Sequence, residues 1–142
     1  MIRVHGSSVA LGGAGVLLRG PSGCGKSDLA LRLIDRGALL VADDQTELHL
    51  EGSDIFMIAP PVIAGQIEVR GLGIMRVPFV ATAPLRLVVD LVAPSAVERM
   101  PEPRRYAVLG REIPLVALAP FEASAVAKLR LAVDAAVGSA HP

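Results

Sequence analysis

The eight residues that follow Arg19 match the pattern GxxxxGK[ST] of a phosphate-binding loop, or P-loop. They are Gly20, Pro21, Ser22, Gly23, Cys24, Gly25, Lys26 and Ser27. The glycines let successive backbone N–H groups converge on phosphate oxygens, and the N-terminus of a following helix adds positive potential. Lys26 would reach the outer phosphates, and the Ser27 hydroxyl would ligate Mg²⁺. The segment therefore predicts a site for a nucleotide and Mg²⁺.

The rarity of lysine supports this prediction. Of the fourteen Lys and Arg residues, only Lys26 and Lys128 are Lys, which indicates that the loop needs a compact ammonium rather than a planar guanidinium. A Gly-rich turn that only caps a helix is the alternative. The chain contains no Asn, so it lacks the Asn-Lys-x-Asp motif by which small GTPases recognise guanine. ATP is the predicted nucleotide, and pyrophosphate or another triphosphate stays open.

Two adjacent carboxylates, Asp43 and Asp44, end the strand predicted after the P-loop helix. In the usual right-handed strand–helix–strand crossover, both strand ends open at the same edge of the sheet, so the pair would face the phosphates. Successive strand side chains alternate, so one acid would act as a base while the other supports the metal or the backbone. The alternative is a pair of acids that begins a surface turn.

A strand–helix–strand unit must position these groups. The apolar run Val16–Arg19 predicts a buried strand, residues from Ser27 onward have helical spacing, and Gly37 ends that helix. Ala38–Ala42 predicts the second strand. Apolar runs between turn residues predict further strands at Glu47–Leu50, Ile55–Ile58, Gln66–Val69, Ile74–Val77, Leu85–Leu91 and Ile113–Leu118.

The remaining segments complete the predicted architecture. Pro94–Arg105 has the composition of a loop, and Glu122–Val137 has the periodicity of a helix. We predict an α/β, P-loop kinase-like domain with a mixed, β-rich sheet, a central P-loop helix and a C-terminal helix. Residues 1–142 would form this single domain.

Composition excludes several classes of function. The net charge is zero and aromatic residues are 3% of the chain, so neither nucleic-acid nor anionic-membrane binding is expected. Charged residues, Pro and Gly interrupt every apolar run, which leaves none long enough to span a membrane. We recognise no targeting signal at the N-terminus. The single cysteine, Cys24, fits a reducing, cytoplasmic environment.

Four blocks of the chain form a recognisable set: His5-Gly6, the P-loop followed by an acid, Arg36-Gly37 with Leu40–Asp44, and Glu68–Ile74. Together they resemble the catalytic domain of the HPr kinase/phosphorylase (HPr serine kinase) family, in a short form consisting of the C-terminal domain. The run Glu-Val-Arg-Gly-Leu-Gly-Ile at 68–74 is the most family-specific block, since very many proteins share the P-loop. The later half matches more loosely, through Glu98-Arg99-Met100 and Glu112-Ile113-Pro114.

The resemblance implies roles for individual residues. Lys26 would hold the phosphates of ATP, Ser27 and Glu68 would hold Mg²⁺, and Asp43 would be the base that acts on the acceptor serine. His5 near the P-loop and Arg99, which helps to neutralise the transferring phosphoryl group, complete the catalytic set. Asp44, Arg70 and Gly71 would support the site.

Each of these residues also has an ordinary structural interpretation. His5 would be a terminal-strand residue, Glu68 an exposed strand acid, and Gly71 part of a hairpin turn. Arg99, with Arg104 and Arg105, would belong to a solvated loop or meet a protein substrate.

The resemblance further implies a serine protein kinase that phosphorylates the phosphocarrier protein HPr and regulates the phosphotransferase system, acting as a homo-oligomer (a hexamer in the family). A small-molecule kinase or ATPase, or a nucleotide-binding regulatory module without turnover, are the alternatives. One segment departs from the family: Ala119–Ser124 lacks the Arg- and Asn-bearing motif that the family links to the reverse, phosphate-dependent reaction. We therefore expect a better kinase than phosphorylase.

Overall fold

Ten strands and two helices make up residues 1–138, the part of the chain that the computed structural model describes. The strands are β1 (Ile2–Leu11), β2 (Ala14–Arg19), β3 (Leu39–Ala42), β4 (Gln45–Glu51), β5 (Asp54–Ile58), β6 (Gln66–Val69), β7 (Gly73–Arg76), β8 (Thr82–Leu91), β9 (Arg104–Val108) and β10 (Arg111–Leu118). The helices are α1 (Lys26–Asp35) and α2 (Ala125–Gly138). Short 3-10 turns cover Pro61–Ile63 and Pro94–Ala96.

Eight of these strands form one mixed sheet that is organised around the long strands β1 and β8. The first half of β1 pairs with β4, and its second half lies between β2 and β3. Strand β8 pairs antiparallel with β5 and then parallel with β2 and β10. Because β1, β4, β5, β8 and β2 pair in succession and β2 also pairs with β1, these five strands close a ring. Strands β6 and β7 form a separate hairpin.

Strand β2 is buried on both faces, as its unbroken apolar sequence requires. Val16 and Leu18 pack in a cluster with Leu29 of α1 and Leu129 of α2. Leu17 points to the other face and joins a second cluster that includes residues of β4 and β5. Full burial of such side chains contributes about 1.5–3 kcal/mol each. The two clusters therefore fix the strand that leads into the P-loop.

Helix α1 follows the P-loop directly, and local signals set its length. Asp28 lies in the first turn, where a carboxylate interacts favourably with the helix dipole, and it accepts a 2.9 Å hydrogen bond from Arg32. Gly37 ends the helix with a φ of +102°, and its N–H donates to the carbonyl of Ile34. The predicted end of the helix is confirmed.

The predicted strand–helix–strand unit is also confirmed, with one strand inserted. Strands β2 and β3 both run antiparallel to β1, so they are parallel to each other with β1 between them. Strand β2 ends opposite Gly6, and β3 ends opposite Ser8. Both strands therefore open at the same edge, beside the middle of β1.

The structure differs from the sequence predictions at three elements. The sequence admits a terminal strand around His5 but predicts no bounds for it, because Ser7 and Ser8 interrupt the apolar pattern of β1; both are fully buried in the structure. The predicted loop Pro94–Arg105 is wrong at its end, because β9 begins at Arg104 and pairs with β10 through its backbone while its arginine side chains stay exposed. Helix α2 begins at Ala125 rather than Glu122, because the preceding residues form a turn. Within residues 1–138, neither helix has the length and apolar character that a membrane span requires.

Candidate active site

The loop between β2 and α1 has a backbone that only glycine adopts readily. Gly23 and Gly25 have φ values of +81° and +107°, and a Cβ built on Gly25 would lie 2.9 Å from the Phe121 ring. Helix α1 starts without a side-chain cap, so its first N–H groups stay available for an anion. This backbone fits the phosphates of a nucleotide.

Lys26 lies across this loop. Its ammonium donates to the carbonyl of Gly20 at 2.8 Å and to that of Pro21 at 3.1 Å, and the residue is only 6% exposed. A buried ammonium is stable only when its donors are satisfied, and here the loop itself supplies the acceptors. The structure thus holds a positive charge against the segment whose N–H groups suit an anion.

Asp43 follows β3 directly and reaches the start of α1. Its Oδ1 accepts hydrogen bonds from the Ser27 hydroxyl at 2.6 Å and from the Ser7 hydroxyl at 3.0 Å. Its Oδ2 accepts from the backbone N–H of Glu68 at 2.9 Å. Three of its roughly four acceptor positions are filled, which fixes the orientation of the carboxylate and leaves one position on Oδ2. The predicted proximity of the acid pair to the P-loop is confirmed for Asp43.

Asp44 takes a different direction from its neighbour. Its backbone is left-handed, with a φ of +65°, and its Oδ1 lies 2.7 Å from Nε2 of His5. Its N–H donates to the Ser7 hydroxyl at 3.0 Å. The His5 and Asp44 side chains are 42% and 59% exposed, whereas Asp43 is 8% exposed. The two adjacent acids therefore occupy different environments, one buried against the P-loop helix and one exposed beside a histidine.

Outside the P-loop, the other predicted site residues are exposed, in contrast to the buried Lys26 and Asp43. Glu68 contributes its backbone N–H to Asp43, and its side chain is exposed. Arg70 and Gly71 lie at the exposed turn of the β6–β7 hairpin. Arg99 is exposed between β8 and β9, and within residues 1–138 it forms no hydrogen bond or ion pair. Over the same range, no three His, Cys, Asp or Glu side chains are grouped closely enough to hold a metal ion.

Two further features of the site escaped the sequence analysis. Ser7 joins Asp43 and Asp44, and its only sequence signal is a pair of serines in an apolar stretch. Arg19, the last residue before the P-loop, binds Asp90 of β8 through two hydrogen bonds of 2.8 and 3.1 Å and lies 4.3 Å from the centre of the Tyr106 ring. Partial burial alone would lower the pKa of Arg19, but the hydrogen bonds and charges of Asp90 and Tyr106 together raise it. This pair holds the start of the P-loop against β8.

The segment Ala119–Ser124 covers one side of the P-loop. The Phe121 ring lies against Gly25, and the Pro120 carbonyl accepts a hydrogen bond from Arg32 of α1. Glu122 turns to α2, where it accepts a 2.7 Å hydrogen bond from Lys128. Ala119–Ser124 is therefore part of the wall of the site.

Comparison with known proteins matches the chain to one family. A family model described as the HPr Serine kinase C-terminal domain matches residues 1–137. HPr kinase/phosphorylase of Caldanaerobacter subterraneus is 42% identical over 115 residues, which are 78% of this chain and 37% of that protein. HPr kinase/phosphorylase of Alkaliphilus metalliredigens is 48% identical over 77 residues, or 54% of this chain and 25% of that protein. The chain thus spans well under half the length of these curated relatives.

A solved structure extends the similarity to the whole fold. The Hpr(Ser) kinase/phosphatase from Coxiella burnetii superposes with a TM-score of 0.82 at 28% sequence identity, covering 99% of this chain and 98% of that one. The P-loop, the buried Asp43 and the mixed sheet thus occur in a chain whose fold and sequence both match one family. The chain belongs to the HPr serine kinase C-terminal domain family.

Proposed function

We propose that this chain is the catalytic domain, over residues 1–142, of an ATP-dependent serine protein kinase that phosphorylates the phosphocarrier protein HPr and thereby regulates the phosphotransferase system. The observation that carries the proposal is the 2.6 Å hydrogen bond between Ser27 and Asp43. It places a buried carboxylate beside the P-loop, where an acceptor hydroxyl would meet a terminal phosphate. The names of the relatives support HPr as the acceptor.

The P-loop would bind ATP through its backbone N–H groups and Lys26. Ser27 and Glu68 would hold Mg²⁺, since a hydroxyl and a carboxylate are oxygen donors of the kind that this hard cation prefers. Bound Mg²⁺ would neutralise charge on the outer phosphates. The short contact between Ser27 and Asp43 supports this assignment, because a hydroxyl that donates to Asp43 keeps its lone pairs free for a cation.

Asp43 would be the general base. It would take the proton of the acceptor serine as the serine oxygen bonds to the γ-phosphorus and the bond from that phosphorus to ADP breaks. Its hydrogen bonds to Ser7, Ser27 and the N–H of Glu68 support this role, because they hold the carboxylate in place before the acceptor arrives. Lys26 and the exposed Arg99 would offset the negative charge that spreads over the phosphoryl oxygens.

Incubation of the purified chain with ATP, Mg²⁺ and HPr tests the proposal. We expect phosphate on a serine of HPr, located by mass spectrometry, and none when that serine is replaced by alanine. ATP hydrolysis that leaves HPr unmodified would instead favour an ATPase or a small-molecule kinase. ATP binding without any turnover would favour a regulatory module.

We also propose that the domain acts as a homo-oligomer in the cytoplasm, with neither nucleic acid nor a membrane as partner. The hairpin of β6 and β7 and its flanks support an interface between copies. Leu72 and Ile74 on the hairpin, and Val62 shortly before it in sequence, are large apolar side chains that are 63–85% exposed. Exposed apolar side chains on one hairpin and the segment before it fit an interaction surface.

A separate prediction concerns the direction of the reaction. The chain should phosphorylate HPr much faster than it dephosphorylates serine-phosphorylated HPr. The reverse reaction needs inorganic phosphate to be held as the attacking group, and such an anion calls for additional Arg or backbone donors. Ala119–Ser124 lies beside the P-loop and contains no Arg, and its Glu122 is paired with Lys128. The assay mixes the chain with serine-phosphorylated HPr and inorganic phosphate in the absence of nucleotide. It measures the loss of phosphoserine and the formation of pyrophosphate. Reverse turnover as fast as the forward reaction would contradict this prediction.

A further inference from the structure

A cavity of about 450 Å³ lies between helix α1 and the segment that leads into α2. Its walls run along α1 from Asp28 in the first turn to Arg32, Asp35 and Arg36 at the C-terminal end, and include Phe121, Glu122 and Val126 on the other side. The cavity adjoins the P-loop, since Asp28 follows Ser27 directly and the Phe121 ring contacts Gly25. Its volume lies within the range of small-molecule sites. A molecule held by its phosphates in the P-loop therefore has a space beside it for its remaining part.

Phe121 is the unusual residue of this cavity. It is 70% exposed although it is one of only three Phe residues in the chain. Its position is nevertheless fixed, because the ring lies against the Gly25 backbone and the preceding Pro120 carbonyl binds Arg32. An aromatic ring that is both fixed in position and exposed to solvent offers a flat apolar surface on which another ring can stack.

The lining contains Arg32 and Arg36 as well as carboxylates, and its carboxylates suit the hydroxyl and amino groups of a nucleoside. Asp28 and Glu122 present carboxylate oxygens, which accept hydrogen bonds from hydroxyl or amino groups. Their charges are already balanced, by Arg32 at 2.9 Å and Lys128 at 2.7 Å. Burial of a neutral ring beside them would therefore leave no new unpaired charge.

We propose that Phe121 is the stacking platform for the nucleotide base, and that this cavity holds the nucleoside of ATP while the P-loop holds its phosphates. The proposal rests on the proposed function, because it assigns the base-binding part of the same site. It makes Phe121 a binding residue of the nucleotide rather than a residue of the acceptor surface. Stacking alone tolerates any base, so the platform adds affinity for nucleotides over inorganic polyphosphates.

Calorimetric titration of ATP and of inorganic tripolyphosphate distinguishes binding of the base at Phe121 from binding of the phosphates at the P-loop. We expect Phe121→Ala to raise the Kd of ATP about tenfold, because the stacking contact is lost. The Kd of tripolyphosphate should stay unchanged, since that ligand has no base. Phe121→Tyr should restore ATP affinity, whereas Phe121→Leu, which keeps an apolar side chain but no ring, should not.

A fluorescence measurement gives an independent readout. The chain has no Trp, so the Phe121→Trp variant would carry a single indole at this position, and we expect ATP but not tripolyphosphate to change its emission. If Phe121→Ala leaves ATP affinity unchanged, or weakens both ligands equally, the stacking proposal is wrong while the phosphate site stands. If the unmodified chain binds neither ligand, the proposed function fails and this proposal fails with it.

Discussion

Lys26→Ala should abolish phosphoryl transfer and weaken ATP binding at least about tenfold, because a hydrogen bond to a charged group contributes about 1.5–3 kcal/mol. The ammonium already lies across the loop, held by the carbonyls of Gly20 and Pro21. Alanine removes the one side-chain charge of the loop and leaves those carbonyls without their donor. Calorimetric titration of ATP and the HPr phosphorylation assay measure the two effects.

Lys128→Ala is the matched control, since Lys128 is the only other lysine of the chain. Its ammonium binds Glu122 and is 45% exposed. An exposed ion pair of this kind contributes little to stability. We expect transfer far above that of Lys26→Ala, because Lys128 reaches the proposed site only through Glu122. Thermal unfolding of both variants shows whether the fold is intact, and near-normal phosphorylation by folded Lys26→Ala would refute the assignment of the P-loop as the nucleotide site.

Asp43→Asn should keep ATP binding and lose most of the transfer rate, by about a hundred- to ten-thousand-fold, which is the usual contribution of a general base. The amide has nearly the shape of the carboxylate but cannot take a proton. Its nitrogen also donates instead of accepting, so either the serine hydroxyls or the N–H of Glu68 lose their acceptor. We therefore also expect the free energy of unfolding to fall by about 1–3 kcal/mol. Single-turnover transfer at saturating ATP, together with thermal unfolding, separates the two effects.

Asp44→Asn provides the comparison at the neighbouring position. Its side chain is exposed and contacts His5 rather than the P-loop helix, so it should reduce the rate far less than Asp43→Asn does. If Asp44→Asn is instead the inactive variant, the exposed His5 and Asp44 pair supplies the base, and Asp43 serves to position Ser27. Both assays use the same enzyme and acceptor, so the order of the two rates decides between the assignments.

The local parts of the site could be predicted from the sequence because adjacent residues determine them. The P-loop depends on glycines and a lysine at fixed spacing, and the end of α1 depends on the left-handed conformation of Gly37. The edge at which Asp43 lies followed from the general geometry of strand–helix–strand units. These features need no knowledge of distant segments.

The tertiary structure decided which distant residues contact each other at the site. The sequence pattern of β1 is ambiguous because it contains serines, yet this strand separates β2 from β3 and brings Ser7 to Asp43, 36 positions away. Arg32 and Pro120 are 88 positions apart, and their contact accompanies the placement of Phe121 on the P-loop. Both contacts join segments that lie next to each other only in the folded chain. The sequence by itself determined which groups are predicted to bind phosphate. The packing of distant strands and turns decided which groups surround them, because side-chain contacts across the sheet depend on strand order and register rather than on local sequence.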